Sequence, residues 1–211
     1  MPKKIIPIVL FNIIYISVSS FFIFQKSNIE FLIYTGIVIV AAGIIIWLYN
    51  RYGLSIPLLW CFSLWGLAHL SGGLYEVPAG WPTAGETRVL YNWWIIDHYF
   101  KFDQLVHGFG FGMCAWITWQ VLRTSQAERF GIQSDTIRPT GGIMFLCVLS
   151  AMGLGCINEI LEFVVMLTVP ETNVGGYYNT GWDLVSNMVG AGIIASAIYI
   201  HGRITQAKEV A

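Results

Sequence analysis

Six long apolar runs decide what this chain can fold into. They cover about residues 5–24, 31–49, 54–73, 103–122, 142–168 and 182–200. A helix needs roughly 20 apolar residues to cross a hydrocarbon layer about 30 Å thick, and each run meets that length. Inside a bilayer the backbone must satisfy its own N–H and C=O groups, which leaves helices or closed barrels. Barrel strands would show short alternating patterns, not continuous apolar stretches. The expectation is an all-α integral membrane bundle of about six transmembrane helices, one domain over residues 1–211. Composition agrees, with 56% hydrophobic and 11% charged residues, against roughly 25% charged in a soluble domain. That balance excludes a soluble enzyme and a disordered chain. A formal net charge of −1 offers no basic excess to an anionic polymer. Membrane lipids are therefore the expected partners, and nucleic acid is not.

The first run could be mistaken for a cleaved leader, because Lys3 and Lys4 precede it. It is too long for that, and Asn12, Ser17, Ser19 and Ser20 leave no Ala-x-Ala site, so it reads as a retained helix. Cys61, Cys114, Cys147 and Cys156 lie in apolar stretches without a CxxC pair and read as small buried hydrophobes.

Basic residues set the orientation. With the N-terminus inside, Lys3, Lys4, Arg51, Arg123, Arg129, Arg138, Arg203 and Lys208 fall on the cytoplasmic side, and Lys26, Arg88 and Lys101 fall outside. This bias places both termini in the cytoplasm. Residues 74–102 then form an extracytoplasmic loop rich in Trp81, Trp93, Trp94, Tyr75, Tyr91 and Tyr99. Such residues favour the headgroup level, so the loop reads as an aromatic lid, with Asn92–Phe102 suited to a short interfacial helix.

The remaining polar residues gather at one depth. The third run ends with His69 and Glu76, and the fourth begins with Asp103 and His107. The fifth carries Asn158, Glu159 and Glu162, and the sixth starts with Asp183 and Asn187. All face the outer side in this topology, while the inner half of the membrane is almost free of ionisable groups. Asp103 and His107 share a helix face, as do Glu159 and Glu162, and Asp183 and Asn187. Carboxylate and imidazole pairs on facing helices are how bundle metal sites are built. His69, Asp103, His107, Glu159 and Asp183 are candidate ligands for a divalent cation, with Glu76, Asn158 and Asn187 as further polar neighbours. Without a cation, Glu159 and Glu162 would repel each other in a low dielectric, which suits either to proton transfer. The competing structural readings are helix caps for Asp103 and Asp183, and a backbone hydrogen bond for His69. Gly108, Gly112, Gly153, Gly155, Gly190 and Gly192 lie beside these pairs and suit close helix packing.

Asp103-x-x-x-His107, Glu159-x-x-Glu162 and Asp183-x-x-x-Asn187-x-x-Gly190-Ala191 together resemble the VanZ-like and YjdF-like bacterial membrane proteins, over about residues 103–192. Gln104 stands where the VanZ-like pattern has lysine, so the YjdF-like group is the closer match. The resemblance implies a bacterial inner-membrane protein with a polar outer site.

Three functions compete. The first is a metal-assisted or carboxylate-assisted enzyme acting on a lipid or lipid-linked head group, with Glu162 and Glu159 as acid or base. The second is a membrane scaffold whose polar cluster only locks the helices together. The third is a small proton-coupled transporter, which would want polar groups continuing toward the cytoplasm.

Overall fold

The computed structural model describes residues 3–170 and 172–210. Six long helices appear where the apolar runs predict them: α1 (Ile6–Lys26), α2 (Ile29–Tyr52), α3 (Ile56–Leu74), α4 (Phe102–Phe130), α5 (Gly141–Thr168) and α6 (Tyr177–Val210). Five are long and apolar enough to cross a membrane; α3 is the exception, its 19 residues diluted by His69, Trp60, Trp65 and three glycines. The chain is an all-α membrane bundle.

The turns between helices follow local chemistry. Ser27 ends α1 in the left-handed region (φ 49°), and the Asn28 side chain then accepts from Phe31 N at 3.0 Å to start α2. Gly53 and Gly131 end α2 and α4 at φ 67° and 64°, where a Cβ would be strained. The Thr140 hydroxyl caps α5 by accepting from Ile143 N.

Helix α4 is the central post. Its most apolar window is 56% buried, against 22% or less for the other four spans, so α4 is enclosed by protein and the others face lipid. It packs on α3, α5 and α6. The α4–α6 crossing is made of glycine: a Cβ on Gly190 would run into the Gly108 carbonyl, and one on Gly112 would meet Gly190 O at 3.1 Å. Gly155 faces Asn187 closely, whereas Gly153 and Gly192 look into open space. Only part of the glycine set is therefore a packing device. Where α5 joins α4 and α6, small residues continue the close packing, with Ala115, Ala151, Ala191 and Cys147 fully buried.

Residues 75–101 differ from the expected interfacial helix. After a short 3-10 turn (Leu90–Asn92), β1 (Trp94–Ile96) and β2 (Phe100–Lys101) pair antiparallel as a hairpin. Aromatic and β-branched residues favour that extended pairing, and His98 takes the left-handed turn position at φ 60°. The Arg88 guanidinium donates to the carbonyls of Pro78 and Trp81, and Trp81 packs on Trp93 with ring centroids 4.6 Å apart. The lid is thus a folded element that leads directly into α4.

Candidate functional site

Helix starts and ends carry the site. The N-terminal turns of α4 and α6, the C-terminal half of α5, and the first turn of α2 meet beneath the hairpin loop. His107 on α4 stands at the centre. Its Nδ1 lies 3.2 Å from Asn187 Oδ1 and 3.8 Å from Glu159 Oε1. Its Nε2 lies 3.7 Å from Asp103 Oδ1 and 4.0 Å from Glu162 Oε1. With the proton on Nδ1, that nitrogen donates to Asn187 and Nε2 is left as a lone pair facing two carboxylates. This is how a ligating histidine is commonly oriented by a neighbour on its other nitrogen.

The carboxylate contacts at 3.7–4.0 Å are too long for hydrogen bonds. They are close to the separation of ligand atoms around one ion, roughly 3.4 Å across a tetrahedral edge when each bond is about 2.1 Å. Two groups come near that spacing: Asp103, His107 and Asp183, and His107, Glu159 and Glu162, with the atoms of each group within 4.8 Å of one another, so that a bound ion would draw them closer. His107 belongs to both, so a cation could sit on either side of the ring.

Charge is unbalanced here. Among the described residues, four carboxyl groups surround His107 (Asp103, Glu159, Glu162, Asp183) and a fifth, Glu30, lines the same cavity, against one cation, Lys101, whose Nζ is 3.5 Å from Asp103 Oδ2 and bonded to Asn179. The other two basic residues expected on this side are engaged elsewhere, Lys26 with Glu76 and Arg88 with loop carbonyls. Amide side chains supply the remaining donors. Asn158 Nδ2 donates to Glu162 Oε1 at 2.8 Å, and Asn179 Nδ2 reaches Asp183 Oδ2 at 2.5 Å and Asp103 Oδ2 at 3.2 Å. Even so, Glu159 Oε2, Asp183 Oδ1 and Asn187 Nδ2 are buried without a hydrogen-bond partner among the described residues. Buried carboxylate oxygens in that state are costly unless something else satisfies them.

Neither carboxylate is an N-cap, although Asp103 keeps a first-turn position that suits a negative charge. Lys101 is the N-cap of α4, and Asp103 sits inside its first turn with the side chain turned to His107. Helix α6 begins at Tyr177, so Asp183 lies well inside it and is 1% exposed.

His69 and Glu76 stand apart from the carboxylates. His69 is held in an aromatic box, stacked on Trp65 with centroids 5.2 Å apart, and its Nδ1 receives the Tyr91 hydroxyl at 2.5 Å. Burial and the nearby Asp103 charge push the Tyr91 hydroxyl well above its usual range, so it stays protonated and donates. His69 lines the site cavity but belongs to neither candidate ligand group. Glu76 is exposed and paired with Lys26 at 2.5 Å, which holds its carboxyl below the usual range.

Several residues escape sequence reading. Glu30 on α2 is 6% exposed and accepts from Asn173 N at 2.9 Å, and Asn92 bonds Asn173 Oδ1, so two loops are tied over the site. Tyr34, Tyr91 and Asn179 join Glu30, His69, Asp103, His107 and Glu162 around a cavity of about 60 Å³. That is room for an ion with a few waters. The nearness of Glu30 to the Asn28 cap, at the start of an apolar run, was the one available signal.

Beside the cavity, an apolar groove of about 460 Å³ runs between α4 and α6 on the lipid face, from Tyr99 and Gln104 past Trp182 down to Ile194. Gln104 and Trp182 are the sequence neighbours of Asp103 and Asp183.

No curated protein and no solved structure matches the chain. Residues 6–203 match a family model described as a predicted membrane protein, DUF2238. That match spans nearly the whole bundle, site included, and the chain belongs to the DUF2238 family of predicted membrane proteins.

Proposed function

We propose that the protein binds a divalent cation at the extracytoplasmic end of its bundle and uses it for metal-assisted hydrolysis or transfer on a lipid or lipid-linked head group. One observation carries this reading: carboxylates from three helices surround a single histidine, the candidate ligand atoms of each group within 4.8 Å of one another, with buried oxygens left over and one lysine to balance them. His107, Asp103 and Asp183 form one ligand group, and His107, Glu159 and Glu162 the other. Mixed oxygen and nitrogen donors suit Zn, Mn or Fe. A cation there would polarise a phosphoryl or carbonyl oxygen, and the carboxylate left unligated, Glu159 or Glu162, would take the proton of an attacking water.

The groove supports a lipid substrate. An acyl chain lying along it would hold its head group at the level of Asp103 and Asp183. The kinship with YjdF-like and VanZ-like proteins, a bacterial inner-membrane location and cytoplasmic termini belong to the same reading. They rest on the three short motifs and on the distribution of lysine and arginine.

Metal analysis of the purified full chain tests the proposal, paired with a His107→Ala variant. The expected result is about one transition-metal ion per chain, and its loss in the variant. Metal-free protein that neither binds nor is stabilised by Zn or Mn would refute the reading and leave the cluster as a scaffold.

A further inference from the structure

The opposite end of the bundle holds a second cavity, and its chemistry has the other sign. It measures about 490 Å³ and lies between α4, α6 and the segment that joins α4 to α5. Its deep part is apolar, lined by Trp116, Ile194 and Ile198. Its mouth carries Arg123 and His201, with Arg138 engaged in a contact of its own and, among the described residues, one lining acid, Asp135. Ile194 and His201 are seven residues apart on α6, so the apolar floor and the basic mouth are separated by about 10 Å along the helix. Pro139 seats on Gly202, where a Cβ would collide with it, and fixes the connecting segment over the cavity.

Arg123 is the informative group. Its guanidinium sits 6.0 Å from the centroid of the buried Trp119 ring, and its Nε is buried without a hydrogen-bond partner among the described residues. By contrast Arg51, at the same end, is fully matched by Glu128 through two 2.8 Å bonds. A guanidinium that lines a cavity and has one buried nitrogen unpartnered suits an anionic acceptor in that cavity.

We propose that this cavity seats the phosphate of an anionic phospholipid from the adjoining leaflet. Arg123 donates to the phosphate oxygens, and an acyl chain lies along Ile194 and Ile198. The gradient from apolar floor to basic mouth matches an amphiphile; a site for free phosphate would have polar walls throughout. Basic pockets between spans at the cytoplasmic face are the usual place for such head groups. The site is separate from the acidic cluster and does not depend on the function proposed for it.

The test uses the full chain in detergent with excess EDTA, so that no cation at the other end contributes. Thermal unfolding is followed while dioleoylphosphatidylglycerol, dioleoylphosphatidylcholine or inorganic phosphate is added. The expected result is a saturable rise in Tm with phosphatidylglycerol alone. Arg123→Gln should weaken that response about tenfold, the loss of one charge-assisted contact, and Arg123→Lys should restore part of it. Each variant is compared with its own phosphatidylcholine baseline, so altered intrinsic stability does not enter. If Arg123→Gln fails to fold, Ala197→Trp decides, since it fills the cavity and should abolish the response. An equal rise with phosphatidylcholine, a full rise with phosphate, or unchanged responses in the folded variants would overturn the proposal.

Discussion

The two ends of the bundle solve the same problem in different ways. At the α2–α3 turn, Arg51 meets Glu128 in a bidentate pair, and Ser55 exchanges two hydrogen bonds with Gln120. Donors and acceptors at this turn are matched, unlike those at the Arg123 cavity elsewhere on the same end. At the hairpin end, four carboxyl groups share Lys101 and a histidine, and two of their oxygens have no partner among the described residues. Matched polar groups are what helix packing alone requires. A surplus of one sign, enclosed by protein, is what a counter-ion or a reaction requires. The difference teaches that the Asp103 end is organised around something that the chain itself does not supply.

The largest effect should come from the seam that connects both ends. Gly190→Val drives a side chain into the Gly108 carbonyl and should cost about 3 kcal/mol, read from unfolding in detergent. It should also abolish metal binding, because Asp183 and Asn187 move with α6. Retention of metal in a destabilised Gly190→Val protein would show that the site does not depend on the α4–α6 crossing.

Next in size is the metal response. A cation at a hundred times its Kd should stabilise the protein by about 2.7 kcal/mol. His107→Ala should erase that gain while changing the metal-free Tm much less. A gain that survives in His107→Ala would move the site elsewhere.

The third prediction reverses sign between the ends. In metal-free protein, Glu159→Gln should be neutral or stabilising, since it removes one of several like charges and leaves an acceptor in place. Glu128→Gln should cost a small amount of stability, and high salt should shrink that loss, because the Arg51 pair is half-exposed. Equal losses at the two ends would collapse the distinction.

The smallest effect concerns Glu76. Lys26 holds its carboxyl below the ordinary value of 4.5, so the stabilisation is present above that pH and fades as the pH falls through the lower folded value. A Glu76→Gln variant should lose this acid-side slope and keep its metal response unchanged, as measured by Tm against pH. A changed metal response would tie Glu76 to the site.

Much of this was readable from the chain. The apolar runs located all six helices, because a bilayer leaves few alternatives to a continuous helix. The spacings of Asp103 with His107, Glu159 with Glu162, and Asp183 with Asn187 brought their residues to shared faces, and the helix ends then converged. The rest depended on segments without periodicity. Asn173 and Tyr91 reach the site from loops, whose course no helical repeat encodes. Asn179 was missed because α6 starts before the apolar run does, at Tyr177. His69 and Glu76 were at the right depth, but depth does not specify direction: one turned into an aromatic box and the other out to Lys26. The hairpin was missed for a similar reason, since aromatic residues suit an interfacial helix and a strand alike.

The glycine crossing has a consequence for how this protein can vary. Every single-nucleotide change that replaces a glycine codon with another amino acid adds a Cβ. At Gly190 each of those neighbours in sequence space meets the Gly108 carbonyl. The position has no gradual route to a different residue. Any lineage that altered it would need α4 to have moved first, so the two helices can drift only as a pair.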